Sequence, residues 1–257
     1  MLITITILTS FLFAVLYPLC FWINYRDPLK DKFHRFHLGL PTIVASVIAI
    51  FLCFRNIPLD QKMIILTWGI LSIQITHYYW HKEYPDPRVV SLVCLAGFCS
   101  IIRWQAAAIS SSLTFQTISI LGGLIFCAAL YAMNLGHWYL NVHGLDIRHL
   151  KQSVYILGLF LAIRLLWDIV YLCSGKIIYL GESIPAFKFL STLDGFLLNV
   201  GILFGVLLPL LSLFFVHGTL KLKNTQASTG ILYVILCSIL IGDITYKYYF
   251  IKFHIFL

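Results

Sequence analysis

The sequence predicts an all-α, polytopic membrane bundle of about eight transmembrane helices, and three observations predict it. Hydrophobic residues fill 60% of the 257 positions and charged residues only 11%, whereas a soluble domain is ~45–50% apolar and about 25% charged. The apolar residues fall in blocks of roughly 18–25, the length a helix needs to cross ~30 Å of hydrocarbon. The Lys and Arg residues sit mainly in short connections between those blocks, where basic residues anchor and orient membrane helices.

Taken in order, the first span covers residues 2–22. No Lys or Arg precedes it, no small-residue cleavage pattern follows, and it exceeds a signal-peptide core, so it reads as a retained helix. A basic connection with Arg26, Lys30, Lys32 and Arg35 leads to the second span, 39–54. The third, 63–80, ends in His77-Tyr78-Tyr79-Trp80-His81, and Pro85 and Pro87 break the chain after it. The fourth, 89–108, carries Arg103, and a Ser/Thr-rich connection over 110–117 follows. The fifth, 118–140, closes on Asn134, Gly136, His137 and Trp138. The sixth, 154–173, contains Arg164 and Asp168. Residues 174–194 read as a surface segment with some helix. The seventh span is 195–216 and the eighth 230–250, with Asp243 and Lys247. No long repeat or low-complexity linker divides the chain, which reads as one transmembrane domain over 1–257. Pro18 and Pro209 are the prolines expected inside spans, and no Gly-x-x-x-Gly stripe dominates a span.

The formal net charge of +8 reads as topology. No basic stripe with interleaved aromatics lies outside the spans, which excludes nucleic acid as a partner. The side reached after spans one, three, five and seven, here the odd side, holds Arg26, Lys30, Lys32, Arg35, Lys82, Arg88, Arg148, Lys151, Lys221 and Lys223. It is therefore expected to be cytoplasmic, with both termini outside, in a bacterial cytoplasmic membrane. His34, His37, His77, His81, His137, His143, His149 and His217 fall on or near the same side, and only His254 does not. The seven cysteines form no C-x-x-C and no C-x-x-C-H, which argues against thiolate metal sites and covalent haem.

Ionisable groups inside a bilayer are costly, face the bundle interior and mark function by default. Gln74, His77 and His81 share one helical face at i, i+3 and i+7, flanked by Tyr78 and Trp80. A neutral imidazole there can donate to a quinone, ligate iron or relay protons; the competing reading is an interfacial belt. Asn134 and His137 share a face at i, i+3, offering a quinone site or, with His77 and His81, axial ligands for a b-type haem; the competing reading is helix–helix hydrogen bonding. Arg164 and Asp168, one turn apart, form a proton path, an anion clamp or a structural pair. Arg103, Asp243 and Lys247 lie toward the even side as a further charge path or brace. The chain has no P-loop, no H-E-x-x-H, no G-x-S-x-G and no mid-helix retinal lysine, so it does not read as a self-contained ATPase, hydrolase or rhodopsin.

The last span, from Leu236 through Gly242, Asp243, Tyr246, Lys247 and Tyr248 to Phe250, resembles the final helix of membrane anchor subunits in the dimethyl-sulfoxide-reductase and polysulfide-reductase group. The resemblance covers that helix and the eight-helix plan. It implies a quinol site and electron transfer to an iron–sulfur partner, but assigns no individual site residue here. The expected protein is then a membrane subunit of a respiratory electron-transfer complex, part of an oxidoreductase rather than an enzyme by itself, with membrane lipid and redox subunits as partners. Its quinone would be held by His77, His137 and Asn134, with Tyr78 and Trp138 lining the pocket. A structural or assembly subunit, a small-solute or ion transporter and a b-type haem protein are the alternatives.

Overall fold

The computed structural model describes residues 1–26, 29, 32–142, 145–179 and 181–257. Lys30 and His143 lie outside the described residues. The chain is helical almost throughout, and seven helical segments are long and apolar enough to cross a membrane: Leu2–Asn24, Phe33–Cys53, Pro87–Ala108, Leu113–Asn141, Arg148–Ser174, Phe196–Lys221 and Thr225–Phe253. One further long helix, Leu59–Tyr79, is less apolar because Asp60, Gln61, Lys62, Gln74 and His77 interrupt it.

Most helices run past the expected apolar blocks, since backbone hydrogen bonding continues beyond the hydrocarbon. Helix α1 (Leu2–Leu16) tightens into a 3-10 stretch over Tyr17–Asn24 at Pro18, whose ring nitrogen has no hydrogen to donate back along the helix. Helix α2 (Phe33–Cys53) begins six residues before its expected span and carries a third intrahelical proline, Pro41, that the sequence reading left out. Helices α3 (Leu59–Tyr79) and α4 (Pro87–Ala108) follow, the latter capped by Asp86, whose side chain accepts from the Arg88 amide.

By its contacts the chain separates into two compact units, Leu2–Gln116 and Thr117–Leu257, the second clustering with Met1. In the first, α1 touches both α2 and α4, while α3 packs between α2 and α4. Its aromatic centre stacks Phe11 on Trp68, with ring centroids 5.0 Å apart. Gly97 makes that possible, because a Cβ there would stand 2.6 Å from the Trp68 indole nitrogen.

The second unit holds most of α5 (Leu113–Asn141), then α6 (Arg148–Ser174) and a two-stranded antiparallel hairpin, β1 (Lys176–Tyr179) with β2 (Glu182–Pro185). The hairpin adds a short sheet to a segment, 174–194, in which only some helix was expected. Its turn contains Gly181 in the left-handed region at φ 84°, a conformation that costs glycine little. A single helical turn, α7 (Ala186–Phe189), follows. Tyr179 donates to the Asp194 carboxylate at 2.9 Å, an interaction that raises the phenol pKa.

The segment Phe196–Lys221 changes helix type along its length. Helix α8 (Phe196–Ile202) widens into a π turn over Leu203–Leu207 before α9 (Leu208–Lys221). Pro209 explains the position: in a regular helix its ring would clash with the Gly205 carbonyl four residues back. Helix α10 (Thr225–Phe253) packs on α8, the π turn and α9. Gly201 and Gly205 form a small-x-x-x-small pair against it, a stripe the sequence reading passed over, and a Cβ on Gly242 would fall 2.1 Å from the Gly205 Cα.

Helix α6 shows the polarity of a membrane protein. Its buried face carries Ser153, Arg164 and Asp168, whereas Tyr155, Leu159, Ile163, Leu166, Ile169 and Val170 are exposed. A water-soluble helix is patterned the other way.

Candidate functional site

In the unit Thr117–Leu257, two charged pairs are buried side by side in the packing. Arg164 and Asp168 occupy one face of α6, one turn apart, and Arg164 Nε donates to Asp168 Oδ1 at 3.1 Å. Both side chains are almost wholly buried, at 3% and 2% exposure. Helix α10 presents Asp243, Tyr246 and Lys247 at i, i+3 and i+4, hence on a common face. Tyr246 donates to the other Asp168 oxygen, Oδ2, at 2.7 Å. The guanidinium carbon of Arg164 stands 3.9 Å from the centre of the Tyr246 ring, a desolvated cation–π contact. On the same helix Lys247 donates to Asp243 Oδ2, and both residues are buried.

A small cavity of about 20 Å³ lies at this cluster, lined by Gly122, Ile125, Arg164, Gly205, Ile239, Asp243 and Tyr246. Four segments therefore converge on it: α5, α6, the π turn and α10. One guanidinium nitrogen, Arg164 Nη2, is buried without a hydrogen-bond partner. No protein-family model, curated protein or solved structure matches this chain. The chemistry of the cluster is thus read from its own geometry.

Formal charges in it cancel, two carboxylates against a guanidinium and an ammonium. The phenol of Tyr246 is hydrogen-bonded to Asp168 and the ammonium of Lys247 to Asp243, and ionisable groups buried in this way inside a membrane suggest function by default. The π turn belongs to the same picture, because single wide turns inside α-helices occur often at functional sites.

The other expected residues stand elsewhere. Arg103 pairs with Asp60 at the start of α3, and both side chains are more than half exposed, so this pair contributes little, ~0–1 kcal/mol. Gln74 and His77 are exposed on α3, whereas His81, also exposed, lies in the turn beyond the helix end and so leaves the helical face expected of it. Tyr78 is 57% exposed, and its hydroxyl accepts from Lys82 Nζ at 3.1 Å. The Arg35 guanidinium lies 5.6 Å from the Trp80 ring and that of Arg88 lies 5.4 Å from Tyr25. Such aromatic–cation pairs at helix ends match an interfacial belt. His77 and Tyr78 belong to Leu2–Gln116, whereas Asn134, His137 and Trp138 belong to Thr117–Leu257. On α5, Asn134 and Trp138 are half-buried and His137 is exposed. Next to them Gly136 abuts Thr229, where a Cβ would come within 2.7 Å of the hydroxyl oxygen. Among the described residues, no group of three or more His, Cys, Asp or Glu side chains is placed to hold a metal ion.

Three buried residues stand differently from the sequence reading. The sequence analysis names Tyr246 only within the pattern of the last span, although its spacing from Asp243 puts it on the charged face. His34 and His37, in the first turns of α2, are buried rather than in a basic loop. The His37 ring nitrogen Nδ1 is 2.7 Å from the Tyr17 hydroxyl, and His34 Nε2 is 3.0 Å from the Tyr79 carbonyl oxygen. These bonds tie α2 to the 3-10 stretch that follows α1 and to α3.

Proposed function

We propose that the chain is a proton-handling membrane subunit of an electron-transfer complex. The observation that carries the reading is the buried cluster of Arg164, Asp168, Tyr246, Asp243 and Lys247, placed at a cavity with one guanidinium nitrogen unpartnered. Structural pairing alone needs two partners per pair. A phenol spanning from α10 to α6, a cavity and a π turn are additional. The resemblance of the last helix to redox anchor subunits supports the electron-transfer part, since that helix contributes Asp243, Tyr246 and Lys247.

In this reading α3 crosses as well, giving eight crossings with both termini outside a bacterial cytoplasmic membrane. Electrons reach a cofactor on a partner subunit. A quinone docks at the odd-side ends of the helices, against Asn134, His137 and Trp138 on α5 or His77 and Tyr78 on α3, and the buried cluster moves the protons that quinone chemistry takes up or releases.

The π turn within Phe196–Lys221 favours a second reading, a small-solute or ion transporter, because single wide turns inside α-helices occur often at functional sites. One experiment separates them. Mild-detergent purification from native membranes is followed by mass spectrometry, and the recovered material is placed in liposomes to measure quinol-driven proton movement. The proposal expects co-purifying redox subunits and quinol-driven proton movement that Asp243→Asn reduces by roughly a hundredfold. A chain that purifies alone and takes no part in quinol turnover turns the reading to transport. Redox partners whose proton movement ignores Asp243→Asn make it a structural subunit.

A further inference from the structure

Gly122 on α5 faces the charged cluster. A Cβ at that position would stand 3.0 Å from Asp243 Oδ1 and 3.9 Å from Arg164 Nη1. Gly122 thus borders both the carboxylate of one ion pair and the guanidinium of the other. The cavity there is of about 20 Å³, and a buried water needs roughly 10–15 Å³ together with two to four polar partners. Its wall supplies a carboxylate oxygen, a guanidinium and the rest apolar surface.

The structure assigns this cavity as a binding site for a single water molecule, held between Arg164 and Asp243. The water accepts from the guanidinium and donates to Asp243 Oδ1. Other small occupants fit the walls badly. A halide would sit against the Asp243 carboxylate, and a metal cation against the Arg164 guanidinium; water alone both donates and accepts. With it in place the two ion pairs become one hydrogen-bonded chain, running from Lys247 to Asp243, the water, Arg164, Asp168 and Tyr246. Gly122 lines the cavity and keeps the space open, since a side chain there would project between Asp243 and Arg164. The inference rests on the proton-handling reading only for its consequence, not for the site.

The test uses the full-length protein in lipid nanodiscs and infrared spectroscopy of the O–H stretch, in ordinary and in heavy-oxygen water. An isolated band that shifts with heavy oxygen is expected in the parent protein and absent from Gly122→Ala. Gly122→Ser, whose hydroxyl replaces the water's bonds, is expected to lack the band as well. No isotope-sensitive buried band in the parent protein overturns the site, whatever the variants do. A band that persists in a folded Gly122→Ala protein also overturns it. Proton movement is read in parallel: the guanidinium accepts no proton, so the water can exchange one only with Asp243, and a roughly hundredfold loss in Gly122→Ala, with recovery in Gly122→Ser, is expected if Asp243 takes its proton through the water. Loss of the band without change in proton movement supports the water site and takes the water off the proton path, leaving the proton-handling reading to Asp243→Asn.

Discussion

Asp168 has both carboxylate oxygens engaged, one by Arg164 from its own helix and one by Tyr246 from α10. Removing one member of a buried pair leaves an uncompensated charge and costs about 3–5 kcal/mol, whereas replacing both by apolar side chains of similar size is near neutral. Arg164→Ala should therefore lower stability by about 3–5 kcal/mol in detergent unfolding measurements. Arg164→Met combined with Asp168→Leu should recover most of that loss while leaving the protein inactive. Equal stability of the single and double variants would show that the pair is not electrostatically coupled. Tyr246→Phe should cost about 1–3 kcal/mol, because it leaves Asp168 Oδ2 without its donor. Both ion pairs were legible in the sequence, since i, i+4 spacing brings opposite charges together on any helix. Tyr246 was half legible: its face followed from the spacing, but its partner lies 78 positions away and no local rule reaches that far. Gly122 was not legible, because a glycine that maintains a cavity looks in sequence like any other small residue of a span.

At the scale of elements, glycines along α10 are expected to behave in opposite ways. Gly242 meets the backbone of Gly205, where a Cβ would be 2.1 Å from the Cα, whereas a Cβ on Gly230 meets nothing within 4 Å. Gly242→Leu should force α10 off the π turn and destabilise by about 1–3 kcal/mol or more. Gly230→Ala should leave stability unchanged or raise it by about 0.5–1 kcal/mol, the usual gain of alanine over glycine within a helix. Thermal unfolding of the two variants against the parent protein checks the pair, and equal loss in both would mean that the close approach is not what holds these helices together. The helices were legible because twenty apolar residues in a row have few other folds. The hairpin over 176–185 was harder, as it consists of two four-residue strands whose β-branched residues Ile177, Ile178 and Ile184 give only a short alternation. Gly181, next to Glu182, was the turn signal available. The π turn escaped because its cause, Pro209, lies outside the widened residues, and the effect acts backwards along the chain.

For the molecule as a whole, the less apolar helix α3 decides the topology. If it crosses with the seven more apolar segments, crossings are even in number and both termini lie on one side. If it lies along the interface, the count is odd and the termini part. Helix length alone favours crossing, since 21 residues at 1.5 Å each span about 30 Å. The exposed Gln74 and His77 oppose it, as each polar group facing lipid is costly. A neighbouring subunit that hydrogen-bonds this face would remove the conflict, as the proposed complex requires. Reporter fusions placed in 55–58, in 80–86 and after residue 257 test this directly, using one reporter active outside the membrane and one active inside. Crossing by α3 places 55–58 outside, 80–86 inside and the C-terminus outside, in line with the basic residues Lys82 and Arg88 on the inner side. Residues 55–58 and 80–86 on the same side would remove the eighth crossing and both-termini-outside together. Given crossing, Gln74→Leu with His77→Leu should keep the fold intact while releasing the co-purifying partner, because the substituted face then suits lipid as well as protein. Retention of the partner by that variant would locate its contact on another face.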